Sequence, residues 1–204
     1  MVCRFNIVRI VLTLQPKIKG KMNINDHVYF APNILLKDLD LSNKDSLISA
    51  FEKRINEYYL KAIELLNNKK SAYATGIIEF SMIDALAKYS TKKNSNVKER
   101  IIKILCDNFK LNTELAERAY DEFRNGLLHE NHIKNSGQFC YETTKAFDEQ
   151  KGCLIVNPKH LENELKQVFR LFIKKLKTDD KVYNLFLSHI KEDFEQEIIH
   201  FQNN

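Results

Sequence analysis

The sequence has few residues that interrupt helices: of its 204 residues, only 5 are glycine and 3 are proline. Glycine and proline are the least favourable residues in helix interiors, whereas leucine, lysine and glutamate, which are frequent here, favour them. The composition therefore predicts a mostly helical protein. An apolar fraction of 44% is ordinary for a globular chain, and the length fits one domain with at most a small appendage.

Cysteine is also scarce. The four cysteines (Cys3, Cys106, Cys140 and Cys153) show no Cys-x-x-Cys spacing, which argues against a zinc site. A chain of this length can build an adequate apolar core without disulfides, so a disulfide framework is not expected. The sequence therefore predicts reduced thiols in an intracellular, cytoplasmic protein that uses no metal or other cofactor.

The chain has no long apolar run. The apolar stretch within residues 1–21 is short and is interrupted by Arg9, so it cannot span a bilayer, and no small-residue cleavage site follows it. Met22 offers an alternative start for the protein, while a short strand or a disordered arm are the other interpretations of this prefix. We assign residues 1–43 to a partly extended or disordered N-terminal arm and residues 44–204 to a helical domain without membrane contact.

After residue 43, apolar residues recur every three or four positions, which is the pattern of amphipathic helices. Asparagine or aspartate precedes several of these segments, as expected of helix caps. Segment 71–90 is apolar on nearly all sides, which is typical of a buried central helix, and its polar stripe consists of Ser81, Asp84 and Lys88. The predicted helices span approximately residues 44–68, 71–90, 97–109, 113–130, 158–177 and 180–200.

Two short apolar segments interrupt this helical pattern. Residues 138–141 and 153–156 are strand candidates, and a polar connection that contains a glycine joins them. They predict a small β-hairpin inserted between the fourth and fifth predicted helices. The expected fold class is therefore an all-α helical bundle with a small β-hairpin.

Residues 123–130 (Phe-Arg-Asn-Gly-Leu-Leu-His-Glu) carry three polar groups suited to phosphate chemistry. Arg124 is a permanent cation with a fork of N–H donors, and His129 can exchange a proton near neutral pH. Asn125 can both donate and accept hydrogen bonds. RNA cleavage without a metal needs a base for the 2′-hydroxyl, a cation for the phosphorane and an acid for the leaving oxygen. These residues are therefore the candidate catalytic set.

The five-residue step separates Arg124 and His129 by roughly 140° on a regular helix, which turns 100° per residue. One straight helix would not direct both side chains at one phosphorus atom. Either the helix loosens at Gly126, or a second copy of the chain completes the site.

The spacing Arg-x-x-x-x-His, with a polar residue after the arginine and late in an amphipathic helix, resembles the motif of HEPN domains. These are a family of small all-α ribonucleases and their inactive relatives. The resemblance covers roughly residues 44–177 and is sharpest over the six motif residues. It implies a HEPN-like bundle, a homodimer paired through the helix that carries the motif (the motif helix, residues 113–130), and metal-independent endoribonuclease activity. This activity leaves a 2′,3′-cyclic phosphate and a 5′-hydroxyl.

The resemblance also implies a biological role and a supporting residue. The role is that of a toxin or abortive-infection effector in prokaryotic antiviral defence, with an antitoxin or regulatory protein as a further partner. The supporting residue is an acid on an earlier helix, and Asp84, with Lys88 one turn later, is the candidate. A plain ion pair between Asp84 and Lys88 is the alternative interpretation.

Basic residues elsewhere are candidates for RNA contact, since a net charge of +5 permits a polyanionic partner without requiring one. They are His132 and a stripe on the helix after residue 157, namely Lys166, Arg170, Lys174 and Lys177. A solvated helix face explains the stripe equally well. The rival functions are a catalytically inactive HEPN module that binds a protein or nucleotide, and a structural helical adaptor.

Overall fold

A computed structural model of the chain describes residues 27–202. The protein is mostly helical, as expected, and it carries one two-stranded and one three-stranded β-sheet within the described residues. The strands are β1 Tyr29–Ala31, β2 Ile34–Leu35, β3 Gln138–Phe139, β4 Phe147–Gln150 and β5 Cys153–Val156. The helices are α1 Lys44–Ile55, α2 Lys61–Asn68, α3 Ala72–Tyr89, α4 Val97–Phe109, α5 Thr113–Arg118, α6 Gly126–Glu130, α7 Pro158–Thr178, α8 Asp180–Asp193 and α9 Glu195–Gln202. The interpretations of residues 1–21 lie outside the described residues.

Two of the predicted helices contain a wider, π-helical turn. Asn56–Leu60 joins α1 to α2, and Ala119–Asn125 joins α5 to α6. In such a turn the backbone N–H group bonds to the carbonyl five residues earlier instead of four, which adds a residue to the turn. The segments predicted as 44–68 and 113–130 are therefore each one helical rod with a local widening.

Polar caps set the helix starts. The side-chain oxygen of each capping residue accepts hydrogen bonds from backbone N–H groups in the first turn of the helix that follows. The caps are Asn43 before α1, Asn96 before α4, Asn112 before α5, Asn157 before α7 and Asp179 before α8. Such a cap contributes about 1 kcal/mol, because it pairs an N–H group that the helix leaves without a partner. The predicted helix starts are confirmed.

Helix α3 lies at the centre of the bundle, as predicted, and packs against α2, α4 and α7. The rings of Phe80 on α3 and Phe123 on the motif helix stack with their centroids 5.6 Å apart. Both side chains are fully buried. This contact fixes the motif helix against α3 and thereby determines which side chains of the two helices meet.

The segment before α1 is packed against the helices from residue 28 onward. Phe30 and Ala31 in β1 are fully buried, and the ring of Phe30 lies 5.6 Å from that of Phe194. Arg54 on α1 donates a hydrogen bond to the carbonyl of Phe30 at 2.6 Å. The described part of the predicted N-terminal arm therefore contributes to the core.

The prediction that residues 138–141 and 153–156 form a β-hairpin with each other is wrong. β3 runs parallel to β5, and the antiparallel partner of β5 is β4. Lys151 and Gly152 form the turn between β4 and β5 with φ angles of 52° and 78°. Such left-handed pairs match the twist of a two-residue hairpin. The sequence pattern did not predict β4, because Phe147 is the only apolar residue of that strand.

The last predicted helix is also divided. α8 ends at Asp193, and Phe194 has a φ of −121°, outside helical geometry, before α9 begins. The ring of Phe194 packs on Phe30, so the break brings an apolar side chain onto β1. The periodic pattern continues through Phe194 and gave no sign of this interruption.

Glu79 on α3 is a buried acid that the sequence analysis did not single out. Its side chain is fully buried, and neither carboxyl oxygen has a hydrogen-bond partner among residues 27–202. Burial raises the pKa of Glu79 well above its usual range, and the nearby Glu162 raises this pKa further. The neutral carboxylic acid is therefore the form that the folded protein favours.

This burial predicts a pH-dependent stability. Because the folded-state pKa is raised, the contribution of Glu79 to stability is complete below its unfolded value of 4.5 and is lost as the pH rises through the folded pKa. We expect Glu79→Gln to raise the melting temperature at pH 8 more than at pH 5. A gain of 1 kcal/mol corresponds to about 2–4 °C in a protein of this size. Thermal unfolding at pH 5 and pH 8 measures the two changes in melting temperature. Glu142→Gln, at an exposed position, is the control. An equal change in melting temperature at both pH values for Glu79→Gln would contradict the prediction.

Candidate active site

The motif residues lie where the wide turn of the motif helix ends. The N–H group of Gly126 bonds to the carbonyl of Asp121, five residues earlier, so the backbone is widened immediately before the last turn. The sequence left open a helix that loosens at Gly126 or a site completed by a second copy; the helix is widened over Ala119–Asn125, just before Gly126. Nη1 of Arg124 lies 2.7 Å from Nε2 of His129 in the same chain. One copy therefore brings the arginine and the histidine together.

Gly126 was expected to loosen the helix, but its structural role is to allow a loop to approach the helix closely. Its backbone is ordinary right-handed helix, but a Cβ atom there would lie 2.3 Å from the carbonyl oxygen of His132. The loop after α6 folds back onto the helix at this point, and the N–H group of His132 donates to the carbonyl of Gly126 at 3.1 Å. The absent side chain allows this close approach.

A carboxylate holds Arg124 from the other side. Nη2 of Arg124 donates to Oδ2 of Asp84 on α3 at 2.6 Å, and Nη1 also donates to Oδ1 of Asn125 at 3.0 Å. The predicted contact between Asp84 and Arg124 is thus present. The side chains of Asp84 and Arg124 are 19% and 13% exposed, so water screens their attraction only in part.

Arg100 on α4 completes this network, and sequence reasoning gave it no role. Its Nη2 donates to Oδ1 of Asp84 at 2.9 Å, so each oxygen of the carboxylate binds one guanidinium group. One signal was available: the polar stripe of the buried helix α3 had to find partners. Sequence periodicity alone could not identify which of the neighbouring helices would provide the cation.

The contact between Arg124 and His129 identifies the ring nitrogen that accepts a hydrogen bond. A guanidinium group has only donors, so Nε2 of His129 must accept and carries no proton in this arrangement. A neutral ring then carries its proton on Nδ1, an assignment that follows from the hydrogen-bond geometry. His129 is exposed. An unprotonated Nε2 beside a cation and near solvent can act as a general base.

Lys88, the second predicted supporting residue, does not belong to this network. Its ammonium group forms an ion pair with Asp193 at the end of α8, and the hydroxyl of Tyr89 donates to the same carboxylate at 3.0 Å. Lys88 lies one turn closer to the C-terminal end of α3 than Asp84 does. At the position of Lys88, α3 packs against α8 and not against the motif helix. The prediction that Lys88 supports the site is therefore wrong.

The other predicted RNA contacts are distributed over the surface. His132 is exposed in the loop after α6, where its ring lies 3.1 Å from the carbonyl of Glu130. Lys166 pairs with Glu162 at 2.6 Å, and it lines a shallow groove with Arg170 beside α1 and α2. Lys174 and Lys177 are exposed further along α7. Within residues 27–202, no hydrogen bond or ion pair connects this stripe with the motif.

The described residues show no metal-binding cluster and no membrane-spanning helix, and the sequence has no significant match among known proteins. In the described part of the chain, no three histidine, cysteine, aspartate or glutamate side chains are grouped so that they could hold a metal ion. None of the helices found there is both long and apolar enough to cross a membrane. No protein-family model matches the sequence, and searches of curated proteins and of solved structures give no significant match.

Proposed function

We propose that the protein is a metal-independent endoribonuclease of the HEPN type. The observation that carries the proposal is the cluster of Arg124, His129 and Asp84, which combines a cation, a proton acceptor and a carboxylate that orients the cation. Neither a protein-binding module nor a structural adaptor requires this combination. The HEPN-like character of the helical bundle rests on the motif and on the position of the acid on an earlier helix.

Arg124 binds the scissile phosphate in this mechanism. Its Nη1 group donates to His129 and Asn125, and its Nη2 group donates to Asp84. The phosphate takes the place of His129 at Nη1 and uses the remaining hydrogen of Nη2, so the guanidinium binds it through two donors. Asp84 keeps the plane of the guanidinium fixed meanwhile. Asn125 offers an amide group beside the bound phosphate.

His129 transfers the proton. Once the phosphate has displaced it from Arg124, Nε2 accepts the proton of the 2′-hydroxyl, and the 2′-oxygen attacks the phosphorus. The bond between phosphorus and the 5′-oxygen breaks, and the 5′-oxygen takes up a proton from His129. The products are a 2′,3′-cyclic phosphate and a 5′-hydroxyl, with no water consumed. Arg124 stabilises the negative charge of the phosphorane, an effect that is worth about 10²–10³ in rate for one well-placed donor.

We further propose that the chain acts as a homodimer paired through the motif helix, as the resemblance implies. A two-fold interface uses the same patch on both copies, so it would place two sites around one cleft. Two Arg124 groups near each other repel unless an anion lies between them, and bound RNA supplies that anion. RNA should therefore stabilise the dimer by linkage. The biological role proposed is that of a toxin or antiviral effector, restrained by an antitoxin.

Mixed variants test both the activity and the composition of the site. We expect the wild type to cleave single-stranded RNA, and Arg124→Ala and His129→Ala to be inactive both alone and after subunit exchange. No activity returns on mixing because both groups belong to the site of one chain. Light scattering reports the dimer, and a labelled RNA reports cleavage. Activity recovered on mixing would show a site composed across the two-fold, and an inactive wild type would remove the ribonuclease proposal.

A further inference from the structure

A groove beside the candidate active site has no role in the proposed cleavage by Arg124 and His129. It lies between α3, α4, α7 and α8 and has a volume of about 260 Å³. We call it the Arg100 groove, because Arg100 is one of its lining residues. Apolar side chains form most of its surface, and they include Leu86, Ile104, Val168, Phe172, Val182 and Leu185.

The charged residues of the Arg100 groove are mostly cations. Arg100, Lys103 and Lys175 line it together with one acid, Asp107. Lys103 is paired with Asp107 at 2.8 Å, and Arg100 is paired with Asp84. Lys175 forms no ion pair with any described residue. An apolar surface with an excess of positive charge is complementary to a ligand that has both a flat apolar part and a phosphate.

The Arg100 groove is connected to the motif through one carboxylate. Nη2 of Arg100 is 2.9 Å from Oδ1 of Asp84, and the other oxygen of Asp84 is 2.6 Å from Nη2 of Arg124. The phosphate-binding arginine and the groove therefore lie on either side of a single side chain. Nε of Arg100 is buried and has no hydrogen-bond partner in the described part of the chain. Only the side chains of Asp84 and Arg100 lie in the line of contacts from Arg124 to the groove.

We propose that the Arg100 groove is a subsite for single-stranded RNA. It takes a base near the scissile bond against its apolar surface, and Lys175 contacts a backbone phosphate. This inference rests on the proposed ribonuclease function and deepens it. A base must be unstacked from its neighbours to enter, so the substrate is a single strand or a loop and not a regular duplex. The subsite lies on the Lys175 side of α7, not on the face that carries Lys166 and Arg170.

Lys175 and Lys191 provide a matched pair for the test. Both lysines are exposed, Lys175 on α7 and Lys191 on α8, but only Lys175 lines the Arg100 groove. Binding of a fluorescently labelled single-stranded oligonucleotide is measured by anisotropy at several salt concentrations, in a His129→Ala background that prevents cleavage. We expect Lys175→Gln to weaken binding about fivefold and to lower the slope of log K against log salt by about 1, as for one lost phosphate contact. Lys191→Gln should match the background protein.

A second pair tests the apolar part of the subsite. Leu171 lines the groove and is 56% exposed, and Leu65 on α2 is 68% exposed and lies outside it. We expect Leu171→Asn to weaken binding about threefold without changing the salt slope, since it removes apolar contact and no charge. Leu65→Asn should have no effect.

The outcomes separate this inference from the proposed function. Equal binding by the Lys175 and Lys191 variants, with both folded by circular dichroism, would overturn the subsite. An oligonucleotide that does not bind at all would also overturn it, and would favour a protein as the ligand of the groove. Selective loss of binding in Lys175→Gln, in a protein whose wild type does not cleave RNA, would keep the subsite and remove the catalytic proposal.

Discussion

Replacement of Arg124 by lysine is expected to lower kcat/KM for RNA cleavage by about 10²–10³-fold. Arg124 donates at the same time to Asp84, Asn125 and His129 from one rigid plane. An ammonium group retains the charge but cannot reproduce this planar arrangement or bind a phosphate through two parallel N–H groups. The loss should appear mainly in kcat, because the arginine acts on charge that develops in the transition state.

Steady-state cleavage of a labelled oligonucleotide measures this effect. Arg170→Lys is the matched control, since Arg170 is exposed on α7 and makes no contact with the motif. Circular dichroism verifies that both variants are folded. Cleavage by Arg124→Lys within about tenfold of the wild type would show that positive charge alone is sufficient, and it would contradict the role given to the guanidinium geometry.

Asp84→Asn is expected to lower cleavage about 10²-fold and stability by about 3 kcal/mol. The carboxylate accepts from Arg100 at one oxygen and from Arg124 at the other. An asparagine side chain has one acceptor, so its amide N–H₂ group would face the donors of one of the two arginines. Two largely buried cations would also lose the negative charge that compensates them. Arg124 would then no longer be held in the orientation that meets the phosphate.

Stability and activity should separate when Arg100 is changed as well. In Asp84→Asn/Arg100→Gln, removal of one cation should recover part of the lost melting temperature, while cleavage stays low because Arg124 is still not held in place. Asp193→Asn is the control, since it breaks the ion pair of α3 with α8 away from the site. Full recovery of cleavage in the double variant would show that Asp84 acts only through stability.

Helix positions could be predicted well because their causes are local. Asn43, Asn96 and Asn157 each accept hydrogen bonds from the next few residues, and the apolar spacing that follows depends on the helix alone. The antiparallel partner of β5, strand β4, could not be predicted from such local contacts. Strand pairing is a non-local property, and Phe147–Gln150 shows no alternation of apolar and polar residues. The Lys151–Gly152 turn was the one local sign of that strand.

The candidate site was predictable only in part. Arg124, Asn125 and His129 follow from the motif, and Asp84 follows from the resemblance, which implies a supporting acid on an earlier helix. A rotation of 100° per residue predicted that Arg124 and His129 diverge, yet Nη1 and Nε2 lie 2.7 Å apart in a helix that widens just before Gly126. Arg100 was not predictable, since its contact with Asp84 depends on how α4 packs against α3.

The most direct test of the central claim is the chemistry of the RNA ends left by cleavage in the presence of EDTA. Mass spectrometry of the products identifies those ends for the wild type, for His129→Ala and for His132→Ala, which replaces an exposed histidine three residues away. We predict 2′,3′-cyclic phosphate and 5′-hydroxyl ends from the wild type and from His132→Ala, and no cleavage by His129→Ala. Cleavage by His129→Ala equal to that of the wild type, or ends with a 3′-hydroxyl and a 5′-phosphate, would contradict the mechanism.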